Sequence, residues 1–293
     1  MSTAVPVALE VGAEDGHRFG GTLHRASAPD APLLMFMPAM GTRARYYNGF
    51  GAAMAQAGVS FACFDWRGID TSTHRASRAL DFGYRHLVEH DFPAAAHALR
   101  ERLPAGTPTW IGGHSLGGQL AALYAAREPD AVKGLVLIAS GNVHFRGWRG
   151  TGSLRILALT QSATVISRLV GHFPGRRLGF GGQEARGVIR DWASTARDGR
   201  YRVAGSVFDY EAGMARLEKP VLAVGFCADT LAPAGSTDRL LAKLSHCTRT
   251  HLRWKAAETG GVALDHFSWA KRPDLVVPTV SDWIRDWGRR GGA

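Results

Sequence analysis

The sequence is poor in cysteine and lysine, and it has no long unbroken apolar run. Its three cysteines, Cys63, Cys227 and Cys247, are far apart and at no zinc-binding spacing, which argues against a disulfide framework or a zinc site. The apolar runs around Cys63 and Cys227 predict buried strand thiols. No stretch reaches the roughly 18 apolar residues of a membrane span, and the first residues do not resemble a secretory signal. We therefore expect a cytoplasmic protein with no membrane contact and no metal or organic cofactor.

Acidic residues are in the minority, and the 35 basic and 25 acidic residues give a net charge of +10. Such a charge is compatible with a nucleic-acid partner. However, only five of the basic residues are lysines, and the arginines are scattered rather than held in one tract. Together with the abundant alanine and glycine, this indicates the bias of a GC-rich coding sequence. We therefore expect no nucleic-acid partner.

The sequence does contain a regular alternation of strand-like and helix-like segments. Residues 5–11 and 17–26 predict an antiparallel hairpin. Further apolar runs predict buried strands at 33–39, 59–68, 107–115, 132–140, 219–229 and 250–256. Helical spacing is found at 45–58, 84–103, 116–127, 236–247 and 273–290. This order predicts an α/β fold, with a mostly parallel central sheet flanked by helices on both faces.

Residues 141–216 interrupt this alternation. They carry glycine, tryptophan and arginine, and they contain helix-like pieces such as LRILALTQSATVISRLV. We interpret them as an inserted, mainly helical cap. The core domain then consists of residues 1–140 and 217–293.

The segment WIGGHSLGGQLAALYAA, residues 110–126, places Ser115 between a predicted strand and a predicted helix. Residues 113–117 match the pattern G-x-S-x-G, which is a weak signal by itself in a glycine-rich chain. Its position at a sharp strand-to-helix turn makes it specific, because the glycines permit a strained backbone that exposes the serine hydroxyl. The N-terminus of the helix then directs backbone N–H groups toward a developing oxyanion. Ser115 is therefore the predicted nucleophile.

A serine hydroxyl needs a base that is itself oriented by an acid. Asp229 follows a late predicted strand, and His266 lies between the last strand and the last helix. The chain order serine, acid, histidine is the one that accompanies a nucleophile at this kind of turn. We therefore predict Asp229 as the acid and His266 as the base. Asp265 is an alternative acid, although adjacent residues usually point apart.

The oxyanion donors are predicted from the backbone. The N–H of Leu116 follows the nucleophile, and a second donor is expected from the loop after the strand at 33–39. That loop reads PAMG, and its proline, Pro38, has no N–H. We choose Met40 as the second donor, with Ala39 as the alternative.

A second polar loop, DWRG, ends the predicted strand at 59–68. Its aspartate, Asp65, is a candidate for a catalytic role. We favour a structural role, in which this carboxylate and the guanidinium of Arg67 hold the loop in place.

The sequence resembles the α/β-hydrolase superfamily. The resemblance rests on GHSLGG, DWRG, the PAMG loop, Asp229 with Pro233, and the DHF sequence that contains His266, and it covers almost the whole chain. In detail it is similar to a poorly characterised bacterial branch of serine hydrolases, which has PAMG where many relatives have a His-Gly pair. That branch also carries DW and GRY elements in its cap, here at 191–192 and 199–201. The resemblance implies a serine hydrolase with a cap after Ser140.

Two residues depart from the pattern of these relatives. Asp70 stands where an R-G-x-G motif often has its second glycine, and Asp265 precedes His266 where a glycine is common. We expect a loop of different shape at Asp70 and an altered environment for His266. Neither departure removes a member of the predicted triad.

The cap indicates the kind of substrate. Residues 141–210 contain 11 arginines, four acidic residues and several aromatic side chains. The aromatics predict an apolar acyl pocket, in which we expect Ala39, His114, Trp148 and Trp192 to contact the substrate. The arginines have two interpretations. They form a solvent-exposed face that reflects the arginine-rich composition of the chain, or they bind an acidic partner, such as an acyl-carrier protein or a coenzyme A thioester.

These residues predict a serine hydrolase that acts on an ester or thioester through an acyl-enzyme. An acyltransferase or cyclase would use the same residues, with an alcohol or amine in place of water. A lyase, a cofactor-free haloperoxidase and a non-catalytic binding protein are further uses of the same fold. The binding protein is disfavoured, because binding alone does not require a base and an acid in register.

Overall fold

The computed structural model describes residues 5–290, so residues 1–4 and 291–293 of the predicted core lie outside the described residues. The strands are β1 (Val7–Gly12), β2 (Arg18–His24), β3 (Leu33–Met37), β4 (Ser60–Phe64), β5 (Thr109–His114), β6 (Leu135–Ile138), β7 (Phe173–Pro174), β8 (Gln183–Glu184), β9 (Pro220–Phe226) and β10 (Thr248–Trp254). Eight of them form one sheet in the order β1-β2-β4-β3-β5-β6-β9-β10. Within it, β2 pairs antiparallel with both of its neighbours, β1 and β4, and the other neighbouring pairs, among β4, β3, β5, β6, β9 and β10, are parallel. The predicted hairpin and mostly parallel sheet are confirmed.

Helices cover both faces of this sheet, as predicted. The helices of the described residues are α1 (Asn48–Gln56), α2 (Tyr84–His86), α3 (Phe92–Arg100), α4 (Leu116–Arg127), α5 (Thr151–Val170), α6 (Gly175–Leu178), α7 (Arg186–Asp198), α8 (Tyr210–Arg216), α9 (Ala234–Lys243) and α10 (Pro273–Arg290). Buried side chains of α1 and α10 belong to one hydrophobic cluster, and those of α3, α4, α8 and α9 belong to another.

β3 shows why the core strands read as continuous apolar runs. Leu33, Met35 and Met37 pack into one hydrophobic cluster, whereas Leu34 and Phe36 pack into the other. Successive side chains of a strand point to opposite faces, so a strand that is covered on both sides is apolar at every position.

The helix predicted at 84–103 is divided in two. A wider, π-type turn at Leu87–Asp91 joins α2 to α3. Pro93 lies in the first turn of α3, and its ring crowds the preceding turn while it offers no N–H. A widened turn is a known way to accommodate such a break.

The segment 141–216, which we predict to be a helical cap, contains the helices α5 to α8. α5 packs against α7, and the short antiparallel pair of β7 and β8 lies between them in the chain. At the end of the segment α8 packs on α4, and the Tyr210 hydroxyl donates to Glu89. The domain boundaries at 140 and 217 stay a prediction.

The cysteine prediction needs one correction. Cys63 is buried in β4, but Cys227 is exposed. The apolar run around Cys227 continues past Phe226, where β9 ends, so this thiol lies beyond the sheet. Among residues 5–290, no helix has the length and apolar character needed to cross a membrane.

Candidate active site

Ser115 lies at a strained turn between β5 and α4. Its φ is +54° and its ψ is −117°, a conformation that costs free energy for any residue with a side chain. A Cβ on Gly113 would lie 2.3 Å from the carbonyl carbon of Gly117, and one on Gly117 would lie 2.1 Å from the oxygen of Met37. Only glycine therefore fits at either flanking position. The Ser140 hydroxyl donates to the Ser115 carbonyl at 2.7 Å and supports the turn.

His266 and Asp229 are joined as the sequence predicts. His266 Nδ1 lies 2.8 Å from Asp229 Oδ2, and both side chains are buried. The other carboxylate oxygen accepts the N–H groups of Leu231 and Ala232, each at 2.8 Å. A carboxylate can only accept, so His266 Nδ1 carries the hydrogen and Nε2 is left as the basic nitrogen.

Ser115 and His266 line the same cavity. Within residues 5–290, no hydrogen bond joins the Ser115 hydroxyl to His266. Bonds of this kind are often long in an empty site and shorten when substrate binds. The structure thus brings the three predicted triad residues to one place.

Asp265, the alternative acid, binds backbone N–H groups. Its Oδ1 accepts the N–H groups of Phe267 and Ser268 at 2.9 and 2.8 Å. The hydrogen bond from the Ser268 backbone is the largest of the effects that lower the pKa of this carboxyl, to which the charge of His266 also contributes. Asp265 therefore holds the turn that follows His266.

The structure distinguishes between the two candidates for the second oxyanion donor. The Ala39 N–H donates to the Tyr47 hydroxyl at 3.0 Å, so it is already engaged. The N–H groups of Met40 and of Leu116, at the N-terminus of α4, have no acceptor within residues 5–290, and both residues line the cavity. This geometry favours the pair Met40 and Leu116.

His114 is not where a substrate-binding residue would lie, which corrects that prediction. It is fully buried and outside the cavity lining. Its ring centroid lies 4.7 Å from that of His266, and its Nδ1 lies 2.8 Å from the Tyr47 hydroxyl. Burial lowers the pKa of His114 well below its usual value, and the neighbouring His266 lowers it further. His114 therefore packs behind His266 as a neutral side chain.

The cavity measures about 170 Å³ and lies between the core and the cap. Three of the predicted substrate contacts, Ala39, Trp148 and Trp192, line it. Trp192 stacks on Phe180, with ring centroids 5.5 Å apart, and the Trp148 indole donates to the Thr230 carbonyl at 3.0 Å. The remaining lining residues are Met40, Ser115, Leu116, Gln119, Gly141, Val143, Ile156, Gly179, Phe180, Gly181, Leu231, Ala232, Ser236, His266 and Phe267.

Gln119 and Ser236 are polar lining residues that sequence reasoning missed, and Gln119 lies closer to Ser115 in the sequence. It follows Ser115 by one helical turn, so it lies on the same face of α4. That spacing is visible in the sequence and would have identified it. Its hydrogen-bond partner is Tyr201, whose hydroxyl donates to Gln119 Oε1 at 3.0 Å. Tyr201 belongs to the GRY element, and no local pattern in the sequence predicts this contact.

Asp65 and Arg67 are structural, but they do not pair with each other. Asp65 accepts the Ala44 N–H at 2.8 Å and the Thr71 hydroxyl at 2.7 Å. Arg67 instead binds Asp15 and Asp91 at 2.7 and 2.6 Å. The loop is therefore held by two separate sets of bonds.

A second serine–histidine–aspartate arrangement lies next to Arg67. His17 Nε2 is 2.8 Å from the Ser72 hydroxyl, and His17 Nδ1 is 2.9 Å from Asp91. All three side chains are buried, and the Ser72 hydroxyl is also bonded to Gly68 N–H at 2.9 Å. No reactant can reach this serine, so the group is structural.

Asp70 has a left-handed backbone conformation, which glycine, the residue often found here in relatives, would favour. Its φ is +39°, in the left-handed region where aspartate is tolerated at a cost. Its carboxylate lies 3.9 Å from Arg43 and 3.5 Å from Arg45. Asp70 thus places a charged side chain at a left-handed position, and the predicted difference in loop shape stays a prediction.

An open groove continues from the mouth of the cavity. Gly41 and Phe267 line it, together with Arg43, Arg45 and Arg176. Phe267 borders the cavity as well, so the groove and the cavity share an edge. Asp70 offsets part of the charge of Arg43 and Arg45, and the net positive charge that is left, with that of Arg176, makes this edge suitable for an anion.

The fold and the serine turn together define the class of protein. A family model described as alpha/beta hydrolase fold matches residues 32–214. This is more than half of the chain, and the protein belongs to the α/β-hydrolase family. No curated protein sequence matches the chain.

Several solved structures have the same fold. A hydrolase from Pseudomonas aeruginosa PA01 is 17% identical, with a TM-score of 0.64 over 97% of this chain and 99% of that one. Est1E from Butyrivibrio proteoclasticus, bound to ferulic acid, is 16% identical, with a TM-score of 0.63 over 95% and 98%. A thioesterase domain from the curacin biosynthetic pathway is 12% identical, with a TM-score of 0.59 over 94% and 99%. At these identities the likeness shows the fold.

Proposed function

We propose that the protein is a serine hydrolase that cleaves an ester or a thioester through an acyl-enzyme. One observation carries the proposal: Ser115, His266, Met40 and Leu116 all line one cavity, and the N–H groups of Met40 and Leu116 have no acceptor within residues 5–290. Esterase and thioesterase structures among the solved neighbours agree with it.

The chemistry follows from these positions. His266 Nε2 accepts the Ser115 proton as the oxygen attacks the substrate carbonyl carbon, and Asp229 stabilises the imidazolium that forms. Met40 and Leu116 N–H stabilise the negative carbonyl oxygen. The alcohol or thiol leaves with the proton from His266, and Ser115 keeps the acyl group. Water, deprotonated by His266, then attacks this ester, the acid is released, and Ser115 regains its proton.

The cavity limits the size of the enclosed group. Its volume of about 170 Å³ is close to that of a protein cavity of about 150 Å³ that holds one benzene molecule. We therefore propose a short or compact acyl group, with the leaving group directed to the open groove.

The test is the intact mass of the protein after exposure to a fluorophosphonate. We expect one adduct on the wild type and none on Ser115→Ala, because only an activated serine in a reachable site reacts. Ser72→Ala is the matched control, since it removes the serine of the buried second arrangement, and it should be labelled like the wild type. Absence of an adduct on folded wild-type protein would contradict the proposal.

The arginines at the cavity mouth favour a second candidate on the same residues. The groove of Arg43, Arg45 and Arg176 would receive a leaving group that carries phosphate, as in a carrier-bound or coenzyme A thioester. The acyl group could then pass to water or to an alcohol or amine acceptor. Product analysis with an acceptor present separates hydrolase from acyltransferase or cyclase.

A further inference from the structure

The lining of the cavity is apolar apart from a few groups, and one of them is held by a hydrogen bond from a buried tyrosine. Gln119 is 5% exposed and borders the cavity. Its Oε1 accepts from the Tyr201 hydroxyl at 3.0 Å. Within residues 5–290, its Nε2 has no hydrogen-bond partner.

The amide of Asn142, which affects the pKa of Tyr201, has an orientation fixed by two backbone groups. Asn142 Oδ1 accepts the His144 N–H at 2.9 Å, and Nδ2 donates to the Gly199 carbonyl at 3.0 Å. Burial raises the pKa of Tyr201, and a hydrogen bond from the Asn142 side chain opposes that increase. The Tyr201 hydroxyl donates its own hydrogen to Gln119 Oε1 at 3.0 Å.

Tyr201 itself has little freedom to move. The side chain is buried, its backbone N–H donates to Glu211 at 2.8 Å, and the Lys243 ammonium lies 5.6 Å from its ring centroid. Within residues 5–290, the acceptor of its hydroxyl hydrogen is Gln119 Oε1. Because that hydrogen requires an acceptor, the amide of Gln119 keeps its oxygen toward Tyr201 and its NH₂ group toward the cavity.

We propose that Gln119 is a specificity residue that selects an oxygen-bearing acyl group. The substrate would carry a ketone, hydroxyl or ether oxygen that accepts a hydrogen bond from Gln119 Nε2. Gln119 lies four positions after Ser115, which is about 6 Å along the helix axis. Helical side chains lean toward the N-terminus, so the Gln119 side chain leans toward Ser115. The accepting oxygen therefore lies only a few bonds from the scissile carbonyl. This inference rests on the proposed acyl-binding function of the cavity.

The test measures binding without turnover, in the Ser115→Ala background. The probes are methyl pentanoate and its two ether isosteres, methyl ethoxyacetate and methyl 3-methoxypropanoate, with the dissociation constants obtained by NMR titration. We expect one ether ester to bind more tightly than methyl pentanoate, and this preference to fall about tenfold when Gln119→Leu is added. Adding Tyr201→Phe should lower it less, because the amide remains but is no longer oriented.

Tyr210→Phe is the matched control, since it removes another buried tyrosine hydroxyl, one that donates to Glu89 at 3.0 Å and lies outside the cavity. It should leave the preference unchanged. The inference would be overturned if Gln119→Leu left the preference over methyl pentanoate unchanged for both ether esters. It would also be overturned if none of the three probes bound. The fluorophosphonate result is independent of this one, so loss of labelling with the preference intact would count against the hydrolase proposal alone.

Discussion

Tyr47 and His114 are joined by a hydrogen bond of 2.8 Å beneath the proposed catalytic site. The same tyrosine oxygen accepts the Ala39 N–H at 3.0 Å. One hydroxyl therefore connects the loop that presents Met40 N–H with the residue that packs behind His266. Tyr47 is a positioning residue for both groups.

Tyr47→Phe should lower kcat about tenfold with little change in KM. The oxyanion donor and the base stabilise the transition state rather than the bound substrate, so their misplacement affects mainly kcat. Steady-state kinetics on a p-nitrophenyl ester would measure this. Tyr84→Phe is the control: the Tyr84 hydroxyl is buried and has no partner within the described residues, so its removal should leave kcat unchanged. Equal kinetics for the two variants would refute the positioning role.

The turn at Ser115 should not accept even one methyl group at Gly117. A Cβ there would lie 2.1 Å from Met37 O and 2.5 Å from Pro38 O, and only a backbone shift would relieve the overlap. We expect Gly117→Ala to lower the free energy of unfolding by about 3 kcal/mol and to abolish activity. Gly49→Ala in α1, where a Cβ meets nothing within 4 Å, should raise stability by up to about 1 kcal/mol. Urea unfolding of both variants would decide; similar effects of the two would contradict this account of the turn.

Glu184 in the cap should make stability depend on pH. Burial raises the pKa of this carboxyl from 4.5 to about 7, although Gly182 N–H donates to it at 2.8 Å. Its pKa is higher in the folded state, so the folded protein binds the extra proton. The stabilisation is complete below pH 4.5 and is lost as the pH rises through about 7.

Glu184→Gln should remove this dependence, which amounts to about 3 kcal/mol between pH 4 and pH 8. The measurement is the free energy of unfolding in urea at both pH values. Glu101→Gln, at a carboxylate 63% exposed on the surface, should behave like the wild type. The prediction is wrong if the difference in free energy of unfolding between Glu184→Gln and the wild type is the same at pH 4 and at pH 8.

The arginine groove should act on charged leaving groups only. Arg176→Glu is expected to lower kcat/KM for a coenzyme A thioester about tenfold at low salt, with a smaller loss at high salt because the attraction is screened. Hydrolysis of a neutral thioester should change little. Arg102→Glu, another exposed arginine, changes the net charge equally at a remote place and should have no such effect. Equal losses on the charged and neutral thioesters would remove the carrier hypothesis.

The sequence by itself determined the fold and the places of the predicted triad. Alternating strand and helix periods depend on neighbours along the chain, and the glycines around Ser115 report a local backbone constraint. The order of Asp229 and His266 follows from where the strands end, because parallel strands bring their carboxyl ends to one edge of the sheet.

Only the tertiary structure decided what surrounds these residues. Ala39 N–H is engaged by Tyr47, His114 lies behind the cavity rather than in it, and Cys227 lies beyond the end of its strand. The bond from Tyr201 to Gln119 joins residues 82 positions apart. Hydrogen bonds and burial at such separations depend on how the cap packs on the core, and no local period in the sequence records that packing.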